Sequence, residues 1–134
     1  MELRQQNETY AEIGRKLIES EPIFEHIKNS KATICYLSSD AKKVSKGKRT
    51  LGQCEKIQSK YKWAIPCDFT ITLFEPNIEG LTIEQLEMLI LHELLHVGIE
   101  STDEGEIYSI VPHDLEDFKE VIDRYGTEWA EPRF

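Results

Sequence analysis

The sequence predicts a single α+β domain that spans residues 1–134. Its length suits one hydrophobic core and is too short for two. Apolar residues at helical spacing mark a helix near each end and one between them, and two short β-branched, apolar segments mark strands. No internal repeat or linker divides the chain. We therefore expect helices and strands to share one core.

The N-terminal half predicts one amphipathic helix and then several strands. Apolar side chains recur near helical spacing over residues 3–19, and Pro22 beyond them can open a short second turn. The segments 32–37 and 67–74 are apolar and bounded by turn-forming residues, and one or two short strands are expected near 50–56. In 67–74 apolar and polar side chains alternate, which predicts one apolar face and one polar face.

A central helix is expected over residues 83–97. Thr82 and Gln85 form a capping-box pattern at its start, and Gly98 is placed to end it in the left-handed conformation. The second half of this helix is apolar on nearly every side, which is typical of a helix at the centre of a domain. Its apolar residues there are Met88, Leu89, Ile90, Leu91, Leu94, Leu95 and Val97.

The C-terminal part predicts an acidic loop over residues 99–106, a short strand over 107–111 and a last helix over 114–125. Gly126 follows the last helix as its stop signal. The buried stripe of this helix is expected to consist of Leu115, Phe118, Ile122 and Tyr125.

Charge is unevenly distributed along the chain. The net charge of −9 disfavours general attraction to nucleic acid or to anionic membranes. Residues 42–62 nevertheless hold eight of the sixteen Lys and Arg residues against one acid, Glu55, so this segment carries +7 and the rest −16. We interpret this basic segment as a solvated hairpin or loop. The alternative is a patch for DNA or another acidic partner, whose binding would weaken steeply with salt.

Cysteine content and apolar runs indicate the compartment. Cys35, Cys54 and Cys67 are odd in number and contain no CxxC pair, which argues against a disulfide framework or a zinc knuckle. The N-terminal segment has no apolar leader. The longest apolar stretch, residues 88–97, is far shorter than the roughly 20 residues that span a bilayer. We expect a cytoplasmic protein with no membrane partner.

Residues 92–96 form an HExxH motif, His-Glu-Leu-Leu-His. On a helix, His92 and His96 lie one turn apart on one face, about 6 Å from each other, close enough to hold one metal ion. Glu93 is turned about 100° round the helix, where it can act on water as a general base without being a ligand. Zinc suits imidazole ligands and lowers the pKa of water, so one Zn²⁺ per chain is expected.

The apolar surroundings strengthen this interpretation. Each buried polar group without a partner costs roughly 1–3 kcal/mol, and a zinc ion would provide a partner for the two histidines and Glu93 together. The alternative is that His92 and His96 are core residues hydrogen-bonded to the backbone.

A catalytic zinc normally has three protein ligands, so a third is needed. His113 is the only other histidine downstream of the motif, seventeen residues after His96, and it is the first candidate. Glu104, Glu116 and Asp117 are the alternatives, since a carboxylate can also bind zinc.

Other residues near the motif have weaker signals. Asp114 could cap the last helix or accept a hydrogen bond from a ligand histidine and orient it. Tyr108 or Tyr125 could place a phenol near the reacting carbonyl, although simple packing explains both. His26 has no ligand-like spacing, and we interpret it as a surface or packing residue.

The sequence HELLHVG at 92–98, the segment VPHDLEDFKEVIDRYG at 111–126 and Trp129 resemble the metallopeptidases encoded by phages and prophages. Those proteins are compact zincins, similar in layout to SprT-like proteases. The resemblance covers roughly residues 66–130.

This resemblance implies a minimal zincin fold, in which a small twisted sheet packs against the N-terminal and central helices and the last helix closes the metal site. It implies that Glu93 is the catalytic base and that the zinc ligands are His92, His96 and His113. It also implies an edge strand before the motif helix, at residues 67–74, on which a peptide substrate would pair. The residues of that strand nearest a substrate would be Asp68, Phe69, Thr70, Ile71 and Thr72.

The predicted activity is therefore hydrolysis of peptide bonds by a zinc-activated water, with a peptide or protein as substrate. Two alternatives remain. One is a zinc hydrolase for another substrate class, which the basic segment 42–62 would favour if it binds nucleic acid. The other is a peptide-binding module that keeps zinc without turnover, although a closed structural site has no use for Glu93.

Overall fold

The computed structural model describes residues 1–112. Within them the elements form an α+β arrangement, as predicted. The helices are α1 (Glu8–Ser20), α2 (Glu25–Lys28), α3 (Glu75–Ile78) and α4 (Ile83–Leu94). The strands are β1 (Arg4–Gln6), β2 (Ile34–Ser39), β3 (Val44–Ser45), β4 (Lys48–Arg49), β5 (Gly52–Lys56), β6 (Phe69–Phe74), β7 (Val97–Thr102) and β8 (Gly105–Ile110). The predicted last helix, 114–125, and Gly126 lie outside the described residues.

A mixed four-stranded sheet in the order β1-β2-β6-β5 forms the frame. β6 runs parallel to β2 and antiparallel to β5, so it has a partner on both sides. The prediction that residues 67–74 form an edge strand is therefore wrong. The predicted pairing of a substrate with this strand depended on a free edge, so it is wrong as well. The residues concerned are Asp68, Phe69, Thr70, Ile71 and Thr72. Among the described strands, the two edges of this sheet are β1 and β5.

The alternating pattern of residues 67–74 correctly predicted which side chains of β6 share a face. Both faces are nevertheless buried. Phe69, Ile71 and Leu73 belong to the hydrophobic core, while Thr72 on the opposite face is also fully buried. Arg4 of β1 covers Thr72 and donates a 3.3 Å hydrogen bond to its hydroxyl. A threonine can be buried when its hydroxyl finds a partner, so the polar face of the strand did not need to meet solvent.

Helix α1 forms where its sequence signals placed it, beginning at residue 8 instead of 3. The side chain of Asn7 caps it by accepting a 3.0 Å hydrogen bond from the Tyr10 N–H, and Pro22 lies just beyond its end. Its buried residues Tyr10 and Leu17 join one core with side chains of β2, β6 and α4. Residues 1–112 thus contain a helix pair packed on a sheet.

Helix α4 starts with the predicted capping box. The Thr82 hydroxyl accepts from the Gln85 N–H at 3.1 Å, and the Gln85 side chain accepts from the Thr82 N–H at 3.0 Å. Every residue from Met88 to Leu94 is buried, as expected of a central helix. The helix ends at Leu94, three residues before the predicted position.

The early end of α4 comes from a β-hairpin that the sequence did not predict. β7 and β8 pair antiparallel from Val97 opposite Ile110 to Thr102 opposite Gly105, so the expected loop at 99–106 is mostly strand. Gly98 lies within β7 and has no positive φ, so it is not a helix stop. A Cβ on Gly98 would lie 2.5 Å from the Ser109 Oγ. The glycine therefore permits the close approach of β7 and β8.

The basic segment divides into two parts on either side of β5. β3 and β4 form a small exposed hairpin whose turn residues, Lys46 and Gly47, have φ of 53° and 77°. Two successive positive φ values are typical of a type I′ turn. This part is the solvated hairpin expected from the charge pattern. The second part follows β5 as a loop, and the strand predicted near 50–56 is confirmed as β5.

The cysteines and the apolar character of the helices are two further features of the described residues. Cys35, Cys54 and Cys67 are all free thiols, and Cys67 is buried. Within residues 1–112, no helix combines the length and the apolar character needed to cross a membrane.

Candidate metal centre

The two motif histidines lie close together although the helix ends between them. His92 occupies the last turn of α4, and His96 follows two residues after its end. The chain keeps turning because the N–H groups of Leu95 and His96 still donate to the carbonyls of Leu91 and Glu93. The ring centroids of His92 and His96 are 5.3 Å apart, with the ring planes at 89°. The predicted one-turn proximity of the imidazoles is confirmed.

His96 is held by Val111, the residue that follows β8. The His96 carbonyl accepts a 2.8 Å hydrogen bond from the Val111 N–H, and the His96 Nδ1 lies 2.6 Å from the Val111 carbonyl oxygen. A carbonyl can only accept, so Nδ1 carries the proton in this contact. That tautomer leaves the lone pair on Nε2, which is how metal-binding histidines are usually oriented by a backbone carbonyl.

Glu93 points into the protein, toward strand β5. Its residue exposure is only 6%. A Cβ added at Gly52 would lie 3.2 Å from the Glu93 Oε2 and 3.3 Å from its Cγ, so the carboxylate occupies the space that this glycine leaves. Burial raises the pKa of Glu93 to about 8. The next residue on that face of β5, Cys54, has its pKa raised to about 12, mainly by burial and secondly by the Glu93 carboxylate.

Among the described residues, strand β5 is paired with another strand only on the side of β6. The Phe74 N–H donates to the Leu51 carbonyl and the Ile57 N–H donates to the Asp68 carbonyl. In an antiparallel pair, hydrogen-bonded positions alternate along the strand. Every second residue of β5 therefore directs its N–H and C=O to the outer edge, namely Gly52, Cys54 and Lys56. Gly52, the first residue of this edge, is also the residue that lies against the Glu93 carboxylate.

No third ligand completes the histidine pair within residues 1–112, where no three His, Cys, Asp or Glu side chains come together as a metal site. Glu104, one of the alternatives, is therefore not assembled with His92 and His96. His113, Asp114, Glu116, Asp117 and Tyr125 lie outside the described residues, and their predicted roles stay predictions.

Two other residues from the sequence analysis have structural roles. The Nε2 of His26 contacts the Val97 carbonyl at 3.1 Å and ties α2 to β7, in line with the packing role expected for it. The Tyr108 hydroxyl donates to Glu106 at 2.7 Å, and its ring packs 5.6 Å from that of Phe69. Packing accounts for Tyr108, and no oxyanion role follows from its position.

Sequence patterns did not identify two residues that contact the motif. Gly52 leaves the space that the Glu93 side chain occupies, and the backbone of Val111 is hydrogen-bonded to His96. Gly52 lies in the basic segment, where its charged neighbours obscured the short strand. Val111 follows the hairpin and acts through its backbone, so its side-chain type carries no signal. Both contacts join residues far apart in sequence.

In this α+β fold the last turn of α4 and the residues just after it bring two imidazoles together and place a buried glutamate against β5, which defines a candidate metallohydrolase. The chain belongs to the family described as "Putative phage metallopeptidase", whose model matches residues 3–132. The family resemblance is thus confirmed, and the match extends well beyond the 66–130 region that suggested it. No curated protein and no solved structure matches the chain.

Membership of a metallopeptidase family implies a metal ion, and the described residues fit one in part. Two imidazoles 5.3 Å apart are a suitable pair of ligands, and the Val111 carbonyl orients one of them. Within residues 1–112, no third histidine or carboxylate joins this pair.

We predict that Gly52→Ala destabilises the protein, because the added methyl group meets Glu93 and lies 2.9 Å from the Leu73 Cδ2. Overpacking of this kind costs about 1–3 kcal/mol. Gly80→Ala is the matched control, since a Cβ there has no atom within 4 Å. Urea unfolding of both variants measures the difference. An equal effect at Gly52 and Gly80 would contradict the close contact with Glu93.

We predict that the metal-free protein loses stability as the pH rises from about 5 to 8. Burial raises the pKa of Glu93 to about 8, so over this range the folded protein holds a proton that the unfolded chain has released. The free energy of unfolding then falls with pH. Urea unfolding at several pH values, in the presence of a chelator, measures the slope. Glu93→Gln cannot titrate and should flatten it, whereas an unchanged slope would place its origin elsewhere.

Proposed function

We propose that the protein is a zinc-dependent metallopeptidase that hydrolyses peptide bonds with Glu93 as general base. The observation that carries the proposal is the position of Glu93: its carboxylate is buried between the histidine-bearing turn of α4 and the open edge of β5. A general base needs to lie beside both the water it activates and the substrate. Few structural roles would require a buried carboxylate at this position.

One zinc ion per chain would be held by His92, His96 and His113. Imidazole nitrogens suit zinc, and three protein ligands leave a coordination position open for chemistry. Val111 supports the third ligand, because it is hydrogen-bonded to His96 and only Pro112 separates it from His113. When bound, zinc supplies Lewis acidity to a carbonyl and lowers the pKa of water. Asp114 would orient a ligand histidine or cap the helix that follows.

A peptide substrate would pair with β5, which replaces 67–74 as the edge strand. The outward N–H and C=O groups of Gly52, Cys54 and Lys56 can pair with an extended peptide by β-augmentation. A peptide in that position passes over Glu93, since the carboxylate lies against Gly52. The proposed fold is that of a minimal zincin, in which the sheet, the motif helix and the edge strand would take these places and the last helix would close the site.

Glu93 would carry the proton through the reaction. Its carboxylate takes a proton from the attacking water as the carbon–oxygen bond forms at the scissile carbonyl. The same side chain then gives that proton to the amine as the carbon–nitrogen bond breaks, so no net proton is gained or lost by the protein. Burial favours the protonated form that exists between the two transfers, and the charge of a bound zinc ion would favour the carboxylate that is needed at the start.

Two alternatives make different predictions. A zinc hydrolase for another substrate class would use the same residues, and the basic segment favours it only if that segment binds a nucleic acid substrate. A peptide-binding module would use the open edge of β5 without turnover. The open backbone edge beside a buried acid favours the peptidase over both.

We predict that His113→Ala lowers the zinc content of the purified protein sharply, because two imidazoles alone hold zinc weakly. His26→Ala is the control, since His26 bonds to the Val97 carbonyl and lies on α2. Atomic absorption on both variants measures bound metal per chain. Tightly held, stoichiometric zinc in His113→Ala would show that another residue, Glu116 or Asp117 first, is the third ligand.

We predict that Glu93→Gln keeps the zinc content and the fold but lowers peptide hydrolysis at least about 10²–10⁴-fold, the usual contribution of a general base. Gln has the same size and lacks only the carboxylate that accepts the proton. Metal analysis, circular dichroism and peptidase assays on the two proteins test this. Zinc loss would make Glu93 a ligand, unchanged turnover would assign the activity elsewhere, and peptide binding without cleavage in the wild type would favour the binding module.

A further inference from the structure

Three large side chains project into solvent from the segment between β5 and β6. Trp63 is 87% exposed, Tyr61 48% and Ile65 38%. Exposed aromatic rings at alternate positions are uncommon, because burial of an aromatic side chain contributes strongly to stability and such rings are enriched at binding surfaces. We call residues 57–66 the aromatic loop. Its exposed rings indicate a surface that contacts another molecule.

The backbone of the aromatic loop is held in one shape. The Ile57 N–H donates to the Asp68 carbonyl at 2.9 Å and closes the base of the loop. Inside it, a short 3-10 helix at Ser59–Tyr61 is followed by a 2.9 Å hydrogen bond from the Ile65 N–H to the Tyr61 carbonyl. The Lys62 ammonium pairs with Asp68 at 2.5 Å and anchors the loop to the sheet. A constrained loop loses little entropy on binding.

The sequence of the loop is basic, and besides Lys62, which pairs with Asp68, it contains Lys60 and follows Lys56. Residues 56–66 contain three lysines and no acidic residue. The Lys60 ammonium lies 5.2 Å from the centroid of the Tyr61 ring, so a cation and an aromatic face are presented together. A ligand that fits this surface carries negative charge beside flat apolar faces. A run of acidic residues in a peptide supplies the negative charge but not the flat apolar faces.

We propose that the aromatic loop binds single-stranded nucleic acid. Unpaired bases stack on Trp63 and Tyr61, and the phosphates lie beside Lys56 and Lys60. Stacking on aromatic side chains next to basic residues is how single strands are bound without sequence preference. A duplex hides its base faces and fits less well. The loop therefore gives the protein a second binding surface, and this surface does not depend on the metal site or on peptidase activity.

This surface is distinct from the basic hairpin formed by β3 and β4. The hairpin precedes β5 and the aromatic loop follows it, so the five residues of β5, about 16 Å of strand, separate them. The hairpin contributes charge and no aromatic side chain. Charge alone would bind any polyanion, whereas the aromatic loop selects one with exposed bases.

Fluorescence anisotropy with a labelled 20-nucleotide oligothymidylate, its oligouridylate counterpart and a mixed-sequence duplex tests the proposal. We expect the wild-type protein to bind both single strands at low salt and the duplex more weakly. Trp63→Ala should weaken single-strand binding about 5–150-fold, the usual range for loss of one stacked base. Lys60→Gln should reduce the slope of log K against log salt by about 0.7, the value for one phosphate contact in a single strand.

Two control variants separate stacking from general effects. Ile83→Ala removes another exposed apolar side chain, 66% accessible at the start of α4, and should leave the affinity unchanged. Lys46→Gln removes a charge from the basic hairpin and should affect binding less than Lys60→Gln does.

Four outcomes would each overturn the proposal. They are no binding to single strands at low salt, equal binding of poly-glutamate, equal or tighter binding of the duplex, and unchanged affinity in Trp63→Ala. A fifth would come from thermal unfolding. If Trp63→Ala lowered the melting temperature by more than about 4 °C, the cost of roughly 1 kcal/mol would mean that the ring packs against the protein itself.

Discussion

Burial of a polar, ionisable motif at the end of an apolar helix is the constraint on which the rest of this structure depends. Residues 88–94 are buried without exception, and two of them are His92 and Glu93. Burying such groups without compensation costs several kcal/mol in total, so the elements around α4 have to accommodate them. β5 does so by placing a glycine against Glu93, and the chain after β8 does so by offering its backbone to His96.

The two supporting elements also determine what the site can do. β5 is the last described strand of the sheet, so the same strand that accommodates Glu93 leaves a row of backbone groups open beside it. The β7–β8 hairpin reverses the chain and returns it to His96 at Val111, two residues before His113. In the proposed reaction β5 would thus bind the substrate, and the β7–β8 hairpin would position a metal ligand. Because Glu93 points to β5 and not to solvent, burial raises the pKa of its carboxyl group.

The uneven distribution of charge along the sequence coincides with particular elements of the fold. The +7 segment of residues 42–62 contains β5, the basic hairpin before it and most of the aromatic loop after it, while the remaining chain carries −16. The open edge of the sheet is therefore flanked by basic residues in a protein that is acidic overall. A peptide that pairs with β5 meets Lys56 at one end of the strand, which favours acidic substrate residues there. The proposed nucleic acid surface lies just beyond that end, so the two proposed ligands would approach the protein from neighbouring directions.

The sequence by itself determined the elements whose signals are local. Helical spacing placed α1, the capping residues Thr82 and Gln85 placed the start of α4, and the motif spacing brought two imidazoles to 5.3 Å. Each of these depends on residues within about one helical turn of one another, which is the range over which side-chain pattern and backbone conformation are directly coupled.

Only the tertiary structure decided which strand lies at the edge and where α4 ends. Residues 67–74 have a good strand pattern, but whether a strand has one neighbour or two depends on pairing with β2 and β5, which lie elsewhere in the sequence. Val97 and Gly98 could have extended α4 by their local pattern, yet pairing with β8 satisfies their backbone groups as strand. The contacts of Gly52 with Glu93 and of Val111 with His96 likewise join distant residues. The choice of pairing partner depends on residues elsewhere in the sequence, so it cannot be read from one segment alone.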